Sequence, residues 1–382
     1  MKLFSFKQLS ALFGVILISI MLAACGNSGT STGTTGSGTT TASNKPGQGC
    51  KKIGVLLPET ASSARWDSKD KPALTKGIAT ALGIDVSAVD YNNAGGDSAT
   101  QQTQAQADLT KGDCILVVAA HDSAAAAAIV TQAKAKNVPV IAYDRLIQSK
   151  DLAYYVSFDN QKVGQLQGQY VADNYQNYTK TSNNLVMING SKTDNNALLF
   201  NQGAVSALQP LVDSGKLKEV YDQFTPDWNN DTARVEMDAA LTANQNKVGV
   251  AYVANDGMAN SVIAALKTKQ LNGKVLVTGQ DATVAGIHNI LTGDQSMTVY
   301  KDINKEVKST IDLIKAISAG TDTASLTNGA TVKTSDGTGI PSILETPVSV
   351  DKANIASTVI ADGFVTKSDV CTGIPAGTDG VC

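Results

Sequence analysis

The sequence predicts a doubly wound α/β protein, in which parallel strands are covered by helices on both faces. Three observations lead to this fold class. Short apolar, β-branched runs recur along the chain, longer stretches rich in Ala, Gln and Lys separate them, and polar side chains stand where several runs end. Continuous apolar runs between helical segments are typical of parallel strands that are buried on both faces.

Ten runs are predicted as strands because each is short, apolar and rich in β-branched or aromatic residues. In chain order they are KKIGVLL (51–57), DVSAVDY (85–91), CILVVAA (114–120), VPVIAYD (138–144), YYVSFD (154–159), NNLVMING (183–190), KEVYDQ (218–223), VGVAYVAN (248–255), KVLVTGQ (274–280) and MTVYK (297–301). The stretches between them are predicted as helices. The segment 123–137, SAAAAAIVTQAKAKN, is an example, because it is Ala-rich, carries Lys near its end and is followed by Pro139.

The first part of the chain is predicted to export and anchor the protein. Lys2 and Lys7 precede an apolar stretch and then small residues, which is typical of a secretory signal rather than of a membrane-spanning helix. The sequence Leu-Ala-Ala-Cys ending at Cys25 resembles a bacterial lipobox, so residues 1–24 are expected to be signal peptide and Cys25 to carry lipid. An ordinary signal peptide with an incidental cysteine is the alternative. Residues 25–49, rich in Gly, Ser and Thr, are expected to form a disordered tether.

The cysteines predict two disulfides. Four remain when Cys25 is set aside, an even number in an oxidising compartment. Cys371 and Cys382 can close a small loop in the Gly-rich tail. Cys50 and Cys114 each stand just ahead of an apolar strand, so they meet if those strands are parallel neighbours.

Composition also argues against several classes of function. The chain beyond residue 49 is long enough for two domains, and a net charge of −3 gives no basic face for nucleic acid. His121 and His288 are the only histidines, so a Cys/His metal site is not expected. Residues 227–238 resemble a calcium loop, but Thr232 stands where the loop needs Gly and Asp238 where it needs Glu. No metal and no cofactor are expected.

Polar side chains at the strand ends are the candidate site, because ligands of doubly wound sheets bind beyond the carboxyl ends of the strands. Singly, each has an ordinary interpretation as a turn former, helix cap, surface ion pair or cavity-filling Trp. The candidates are Arg65, Trp66, Asp144, Arg145, Asp159, Asn160, Asn189, Asp194, Asn195, Asn196, Trp228, Asn255, Asp256, Gln280, Asp281 and Lys301.

As a set, these side chains predict a site for a neutral sugar ring. Arg and Lys only donate, carboxylates only accept and Asn does both, which matches ring hydroxyls, while indole matches the apolar C–H faces. A catalytic site needs a nucleophile beside a base, or two carboxylates at catalytic separation. Asp144 and Asp281 are the only plausible pair for a glycosidase, which remains the enzyme alternative.

Several motifs together resemble the D-xylose-binding group of the type I periplasmic-binding superfamily, the aldose-binding lipoproteins of ABC transporters. The motifs are RW and KD (65–66 and 69–70), IAYDRLI (141–147), YYVSFDNQKVGQLQ (154–167), DNNA (194–197), LTANQNKV (241–248), AND (254–256), GQDATVAGI (279–287) and MTVYK (297–301). The resemblance extends from about Lys51 to Phe364. The tail with its cysteine pair lies beyond it, and the loop PETASSARW (58–66) lacks the charged residues typical of xylose binders.

The resemblance implies two α/β domains that are joined by three crossing strands and close on a ligand. The N-terminal domain would comprise residues 50–159 and 301–343, and the C-terminal domain residues 160–300 and 344–382. The implied sugar contacts are Arg65, Trp66, Asp144, Arg145, Asp194, Asn196, Trp228, Asn255, Asp281 and Lys301. The implied ligand is a monosaccharide, D-xylose before glucose or another aldose, and the implied partner is an ABC permease. A monomer tethered by lipid outside the cell membrane, or in a periplasm, is expected; a sugar sensor is the alternative.

Overall fold

The computed structural model describes residues 45–382, and the predicted signal peptide and Cys25 lie outside them. Helices and strands alternate through most of this part of the chain. The strands are β1 (Ile53–Leu57), β2 (Val89–Asn93), β3 (Ile115–Val118), β4 (Val140–Tyr143), β5 (Tyr154–Phe158), β6 (Asn184–Asn189), β7 (Lys218–Phe224), β8 (Val250–Val253), β9 (Leu276–Val277), β10 (Thr298–Tyr300), β11 (Thr331–Lys333), β12 (Gly339–Glu345) and β13 (Val348–Val350). The helices are α1 (Lys71–Leu82), α2 (Ser98–Lys111), α3 (Ala127–Ala135), α4 (Asn160–Asn174), α5 (Asn195–Asp213), α6 (Asn230–Ala243), α7 (Asp256–Thr268), α8 (Val284–Thr292), α9 (Ile303–Ala319), α10 (Ala324–Thr327) and α11 (Lys367–Val370).

The strands form two main sheets. The larger has seven strands in the order β11-β12-β5-β4-β3-β1-β2, and all its pairings are parallel except that of β11 with β12. The smaller has four parallel strands in the order β7-β6-β8-β9. β10 pairs antiparallel with β13, and a bridge between Gln280 and Val299 lies beside the end of β9.

Alternate residues of the seven-stranded sheet enter two different cores. Ile53, Val55 and Leu57 of β1 pack in one hydrophobic cluster, whereas Leu56 packs in another with Leu116 of β3. All of these side chains are fully buried. A sheet covered on both faces explains why its strands read as continuous apolar runs rather than as an alternating pattern.

Helices α4 and α5 pack unusually close because glycines face each other. A Cβ on Gly164 would lie 1.9 Å from the carbonyl oxygen of Phe200, and one on Gly203 would lie 2.1 Å from that of Gln161. Only glycine allows the backbones to approach this far. The contact fixes the first turns of α5, which carry Asn196 and Phe200.

Both predicted disulfides are present. Cys50 is bonded to Cys114, and Cys371 to Cys382. The first joins the residues just ahead of β1 and β3, which are parallel neighbours as the prediction required. The second closes the tail, whose Val370 and Val381 are buried in the same cluster as β1.

All ten predicted strands are found, but several boundaries differ from prediction. In the predicted run 85–91, residues Val86–Ala88 form a 3-10 turn and the strand β2 begins only at Val89. The run 274–280 forms only the two-residue β9, because the chain then turns toward β10. Helix α3 begins at Ala127, since residues 123–126 form a turn instead of helix. Residues 45–49 of the predicted tether are bound to the end of α9, because Lys45 Nζ donates to the carbonyl oxygen of Gly320 and Gly49 N to that of Ser318.

Candidate functional site

A polar cavity lies where loops from the two main sheets meet. All ten predicted sugar contacts line it, together with Ser62, Ser63, Phe200 and Gln280. The ten are Arg65, Trp66, Asp144, Arg145, Asp194, Asn196, Trp228, Asn255, Asp281 and Lys301.

The carboxyl ends of the strands place most of these residues. Asp144 and Arg145 follow β4 of the seven-stranded sheet, and Asn255 follows β8 of the four-stranded sheet. Lys301 follows β10, and Asp281 follows the residue that bridges to that strand. The sequence rule that ligands bind beyond the carboxyl ends of parallel strands therefore located the cavity.

Asp144 is the central acceptor of the cavity wall. Its Oδ2 lies 2.9 Å from Arg65 Nη1 and 3.3 Å from Lys301 Nζ, and its Oδ1 accepts from Asn196 Nδ2 at 3.1 Å. Burial alone would raise the pKa of this carboxyl, but Lys301, Arg65 and Arg145 together lower it. Asp144 is therefore a fixed anion at any physiological pH.

Three carboxylates hold the guanidinium of Arg65. Nε and Nη2 donate to Asp70 at 3.0 and 2.7 Å, and Nη2 also lies 3.3 Å from Glu306. Asp70 in turn accepts from the hydroxyl of Tyr143 at 2.6 Å. Burial would lower the pKa of Arg65, yet the surrounding carboxylates raise it. The group also stacks 4.4 Å above the ring of Trp66, so its orientation is fixed from several sides.

Arg145 and Trp228 both bind Asp194. Arg145 Nε lies 2.9 Å from Asp194 Oδ2, and Trp228 Nε1 donates to the same oxygen at 3.1 Å. The other oxygen caps α5 by accepting from the backbone N of Asn196 at 2.9 Å. Burial raises the pKa of Asp194, although Arg145 opposes the shift. Asp194 is thus a helix cap and a cavity residue at once, and the two interpretations do not compete.

The ammonium group of Lys301 lies between two carboxylates of the cavity. Its Nζ lies 3.3 Å from Asp144 and 3.6 Å from Asp281. Burial would lower its pKa, but these two carboxylates raise it, so it stays charged. Asn255 caps α7 by accepting from the backbone N of Met258 at 2.9 Å, and it also faces the cavity.

Three polar atoms of the cavity residues have no hydrogen-bond partner within residues 45–382. They are the hydroxyl Oγ of Ser63, Nε1 of Trp66, which is a donor, and Oε1 of Gln280, which is an acceptor, and all three are buried. Buried polar groups are normally paired, so a polar ligand in the cavity is the natural partner for them.

Of the remaining strand-end candidates, Gln280 lines the cavity, and Asp159, Asn160, Asn189, Asn195 and Asp256 do not. Asp159 caps α4 by accepting from Lys162 N at 2.9 Å, and Asn195 accepts from Gln148. Asn160 supports the cavity from behind, because its Nδ2 donates to Asn196 Oδ1 at 3.0 Å. Asp256 is fully buried among donors away from the cavity.

Neither the histidines nor the calcium-like segment, apart from Trp228, forms part of the cavity. Nε2 of His121 lies 3.8 Å from Asp227 Oδ1 in a second pocket, which has Ser62 in common with the cavity. His288 lies on α8 and is half-buried, with Nδ1 3.0 Å from the carbonyl oxygen of Val370. Most of the calcium-like segment is the straight helix α6, which cannot wrap around an ion.

Patterns in the sequence point to some cavity residues that the prediction left out. Gln280 belongs to the strand-end candidates, and Ser62 and Ser63 lie in the loop 58–66, which lacks the charged residues typical of xylose binders. Phe200 follows Asn196 by four residues, the spacing that places two side chains on one face of a helix. Glu306, behind Arg65, had no signal, because it comes from the first turn of an amphipathic helix and follows no strand.

The fold and the cavity define an α/β binding protein that encloses a small polar molecule at the carboxyl ends of two parallel sheets. The chain belongs to the periplasmic binding protein domain family, whose model matches residues 53–322. This family consists of solute-binding proteins and not of enzymes, so the glycosidase alternative is set aside. Residues 45–382 contain no helix that is both long and apolar enough to cross a membrane.

Two relatives are named D-xylose-binding periplasmic proteins. The one from Haemophilus influenzae is 39% identical over 324 residues, which cover 84% of this chain and 92% of that protein. The one from Escherichia coli is 37% identical over 322 residues, with the same coverage of 84% and 92%.

A solved structure with glucose is similar in both fold and sequence. It is an ABC transporter solute-binding protein from Clostridium phytofermentans with bound β-D-glucose. The TM-score is 0.74 and the identity 31%, over 84% of this chain and 100% of that one.

Proposed function

We propose that this protein captures a monosaccharide, D-xylose first, in the cavity and delivers it to an ABC permease. The observation that carries the proposal is the convergence of ten side chains, from loops distant in sequence, on one cavity. Its fixed donors and acceptors suit ring hydroxyls, and Trp66 and Trp228 supply two flat apolar faces. The names of the Haemophilus and Escherichia relatives support D-xylose among aldoses.

Glucose is the second candidate ligand, because the similar Clostridium protein was solved with β-D-glucose. The two sugars differ by one hydroxymethyl group, so the cavity wall near that position decides between them. A site that leaves a buried charged group unpaired discriminates by about 1 to 3 kcal/mol per missing hydroxyl.

The proposed mechanism is closure of two domains, residues 50–159 with 301–343 and residues 160–300 with 344–382, around the sugar. The ligand favours the closed state because it contacts both halves of the cavity at once. Lipid on Cys25, after removal of residues 1–24, would tether a monomeric protein outside the cell membrane, where the closed form meets the permease. The same capture step would serve a sugar sensor.

A binding screen tests the ligand. D-xylose, D-glucose and other aldoses are titrated into the purified protein while Trp fluorescence and the thermal midpoint are recorded. We expect D-xylose to change the emission of Trp66 and Trp228 and to raise the midpoint, because saturation at 100 times Kd stabilises the folded state by about 2.7 kcal/mol. If no aldose gives a saturable response, the sugar proposal is wrong.

The variant Asp144→Asn tests the site itself. We expect it to weaken binding by roughly 10- to 100-fold, since a hydrogen bond to a charged group contributes about 1.5 to 3 kcal/mol. Asparagine is the matched replacement because it tolerates the left-handed backbone of Asp144, where φ is 59°. Asp159→Asn, which retains a capping side chain outside the cavity, is the control and should bind normally. Unchanged affinity in Asp144→Asn would remove Asp144 from the site.

A further inference from the structure

Three carboxylates converge at the amino-terminal edge of the seven-stranded sheet. Asp90 lies on β2, Asp108 in the last turns of α2, and Asp113 just ahead of β3. One oxygen from each lies within 4.8 Å of the others. The group sits over Gly54 of β1, where a Cβ would lie 3.0 Å from Asp113 Oδ2 and 3.1 Å from Asp108 Oδ2.

Three oxygens of this acidic cluster are buried without a hydrogen-bond donor in the described part of the chain. They are Oδ2 of Asp90 and both oxygens of Asp113. The side chain of Asp113 is fully buried and that of Asp108 is too. A buried carboxylate that accepts no hydrogen bond is costly, and such groups are normally paired or bind a metal ion. Asp113 therefore points to a missing cationic partner.

Two lysines approach the cluster but do not satisfy it. Lys52 Nζ lies 3.5 Å from Asp90 Oδ2 and 3.8 Å from Asp113 Oδ1, which is beyond good hydrogen-bond distance. Lys111 Nζ lies 3.2 Å from Asp108 and 3.4 Å from Asp90, and does not reach Asp113. Their side chains are 36% and 48% exposed, so both can turn into water when another cation arrives.

We propose that Asp90, Asp108 and Asp113 bind a divalent cation, with Ca²⁺ as the ion that fits best. All the ligands are carboxylate oxygens, which hard cations prefer. Ca²⁺ accepts irregular oxygen ligands at about 2.3 to 2.6 Å, so oxygens on opposite sides lie about 4.6 to 5.2 Å apart, a span compatible with this cluster. Mg²⁺ requires a tighter, near-octahedral shell.

This site would act on stability and not on the sugar. The cluster lies at the amino-terminal ends of β1, β2 and β3, whereas the cavity lies beyond the carboxyl ends of the strands. The ion would join the same strands that the nearby Cys50–Cys114 disulfide secures. We therefore expect Ca²⁺ to raise the thermal midpoint and to leave the affinity for sugar unchanged.

The test is a titration of chelator-treated protein with CaCl₂, and with MgCl₂ and NaCl at matched ionic strength, followed by calorimetry and the thermal midpoint. We expect saturable binding of one Ca²⁺ per chain and a higher midpoint. Asp113→Asn and the more exposed Asp90→Asn should each weaken that binding at least tenfold. Asp231→Asn, which removes an exposed carboxylate from the calcium-like segment, should bind Ca²⁺ normally. Circular dichroism checks that each variant is folded.

Several outcomes would overturn the proposal. A protein that shows no saturable Ca²⁺ binding by calorimetry has no such site. Binding that survives in both Asp113→Asn and Asp90→Asn lies elsewhere. A third outcome is that the parent protein does not respond to Ca²⁺ and that Asp113→Asn has a higher thermal midpoint. In that case a shared proton or the two lysines balance the charge of the three carboxylates, and no ion binds there. Because sugar binding is measured separately, none of these results bears on the proposed function.

Discussion

At the scale of single residues, the backbone of Asp144 is held as firmly as its carboxylate. Its carbonyl oxygen accepts from Tyr155 Oη at 2.9 Å, Ser157 Oγ at 2.7 Å and Asn196 Nδ2 at 3.0 Å. These three donors stabilise a left-handed conformation that costs most residues energy. Asp144 therefore meets a ligand in a fixed orientation, which spares the ordering cost of binding.

Gly190 leaves the space that the ring of Trp228 occupies beside the cavity. A Cβ on Gly190 would lie 2.2 Å from two carbons of the Trp228 ring, so the ring must move in Gly190→Ala. We expect sugar affinity to fall roughly fivefold, as the loss of about 1 kcal/mol of aromatic contact implies, although Gly190 does not line the cavity. Isothermal titration with D-xylose measures the change.

The control for this variant is Gly339→Ala at the start of β12. There the added Cβ meets Thr331 at no less than 3.4 Å, which is ordinary contact. Normal affinity in Gly190→Ala would show that Trp228 either tolerates displacement or makes no contact with the ligand.

A site residue can be predicted from sequence when the pattern that marks it lies in its own segment, and not when it is marked only by a contact with a distant segment. Asp144, Arg145 and Asn255 were identified because strand ends are local patterns. The contact of Arg65 with Glu306 spans 241 residues and joins two helical segments that carry no shared motif. Such pairs arise only when the fold brings distant segments together, so sequence patterns cannot show them.

At the scale of elements, the two disulfides should differ in their contribution to stability. In the chain-entropy treatment, Cys50–Cys114, with a sequence separation of 64, stabilises by about 4 kcal/mol, and Cys371–Cys382, with a separation of 11, by about 3 kcal/mol. We expect the double variant Cys50→Ala/Cys114→Ala to lower the thermal midpoint more than Cys371→Ala/Cys382→Ala. Scanning calorimetry of both variants checks the order, and the reverse order would mean that packing of the tail dominates.

Asp256, at the start of α7, makes stability depend on pH. Burial raises its pKa to about 7, although Gln295, Thr283 and Thr298 donate to it, whereas the unfolded value is about 3.9. Between these values the folded state holds a proton that the unfolded state has lost. Stability from this group is therefore present below about pH 4 and falls as pH rises to about 7, by on the order of 4 kcal/mol.

The variant Asp256→Asn should remove this pH dependence. We expect the difference in free energy of unfolding between pH 5 and pH 7, measured by urea denaturation, to shrink relative to the parent protein. Asp302→Asn, which changes a capping carboxylate at the start of α9, is the control. An unchanged pH profile in Asp256→Asn would mean that Asp256 is ionised throughout.

Strands and helices could be predicted from sequence where the composition of the segment itself determines its secondary structure. Strands such as β1 and β4 are apolar throughout and buried in full, so composition suffices. β12 has the sequence GIPSILE, in which exposed and buried residues are mixed. A proline near the start of such a segment is unfavourable for a strand inside a sheet, yet β12 pairs with β5 in the seven-stranded sheet. β11 and β13 have three residues each and depend entirely on their partners.

At the scale of the whole molecule, ligand binding should make the protein more compact. A globular chain of about 340 residues has a radius of gyration of about 20 Å, and an open two-domain form exceeds that value. We expect small-angle X-ray scattering to show a decrease when D-xylose saturates the protein. Asp144→Asn at the same sugar concentration is the control. A radius that does not change with sugar would contradict closure.

The charged side chains around the cavity should also exclude negatively charged sugars. Arg65, Arg145 and Lys301 face an equal number of carboxylates, those of Asp144, Asp194 and Asp281, and each cation already has an anionic partner within 4 Å. A uronic acid or a sugar phosphate would bring an extra negative charge that no unpaired cation among the described cavity residues can balance, at a cost of several kcal/mol. We therefore expect acidic sugars in the surroundings not to compete for the cavity.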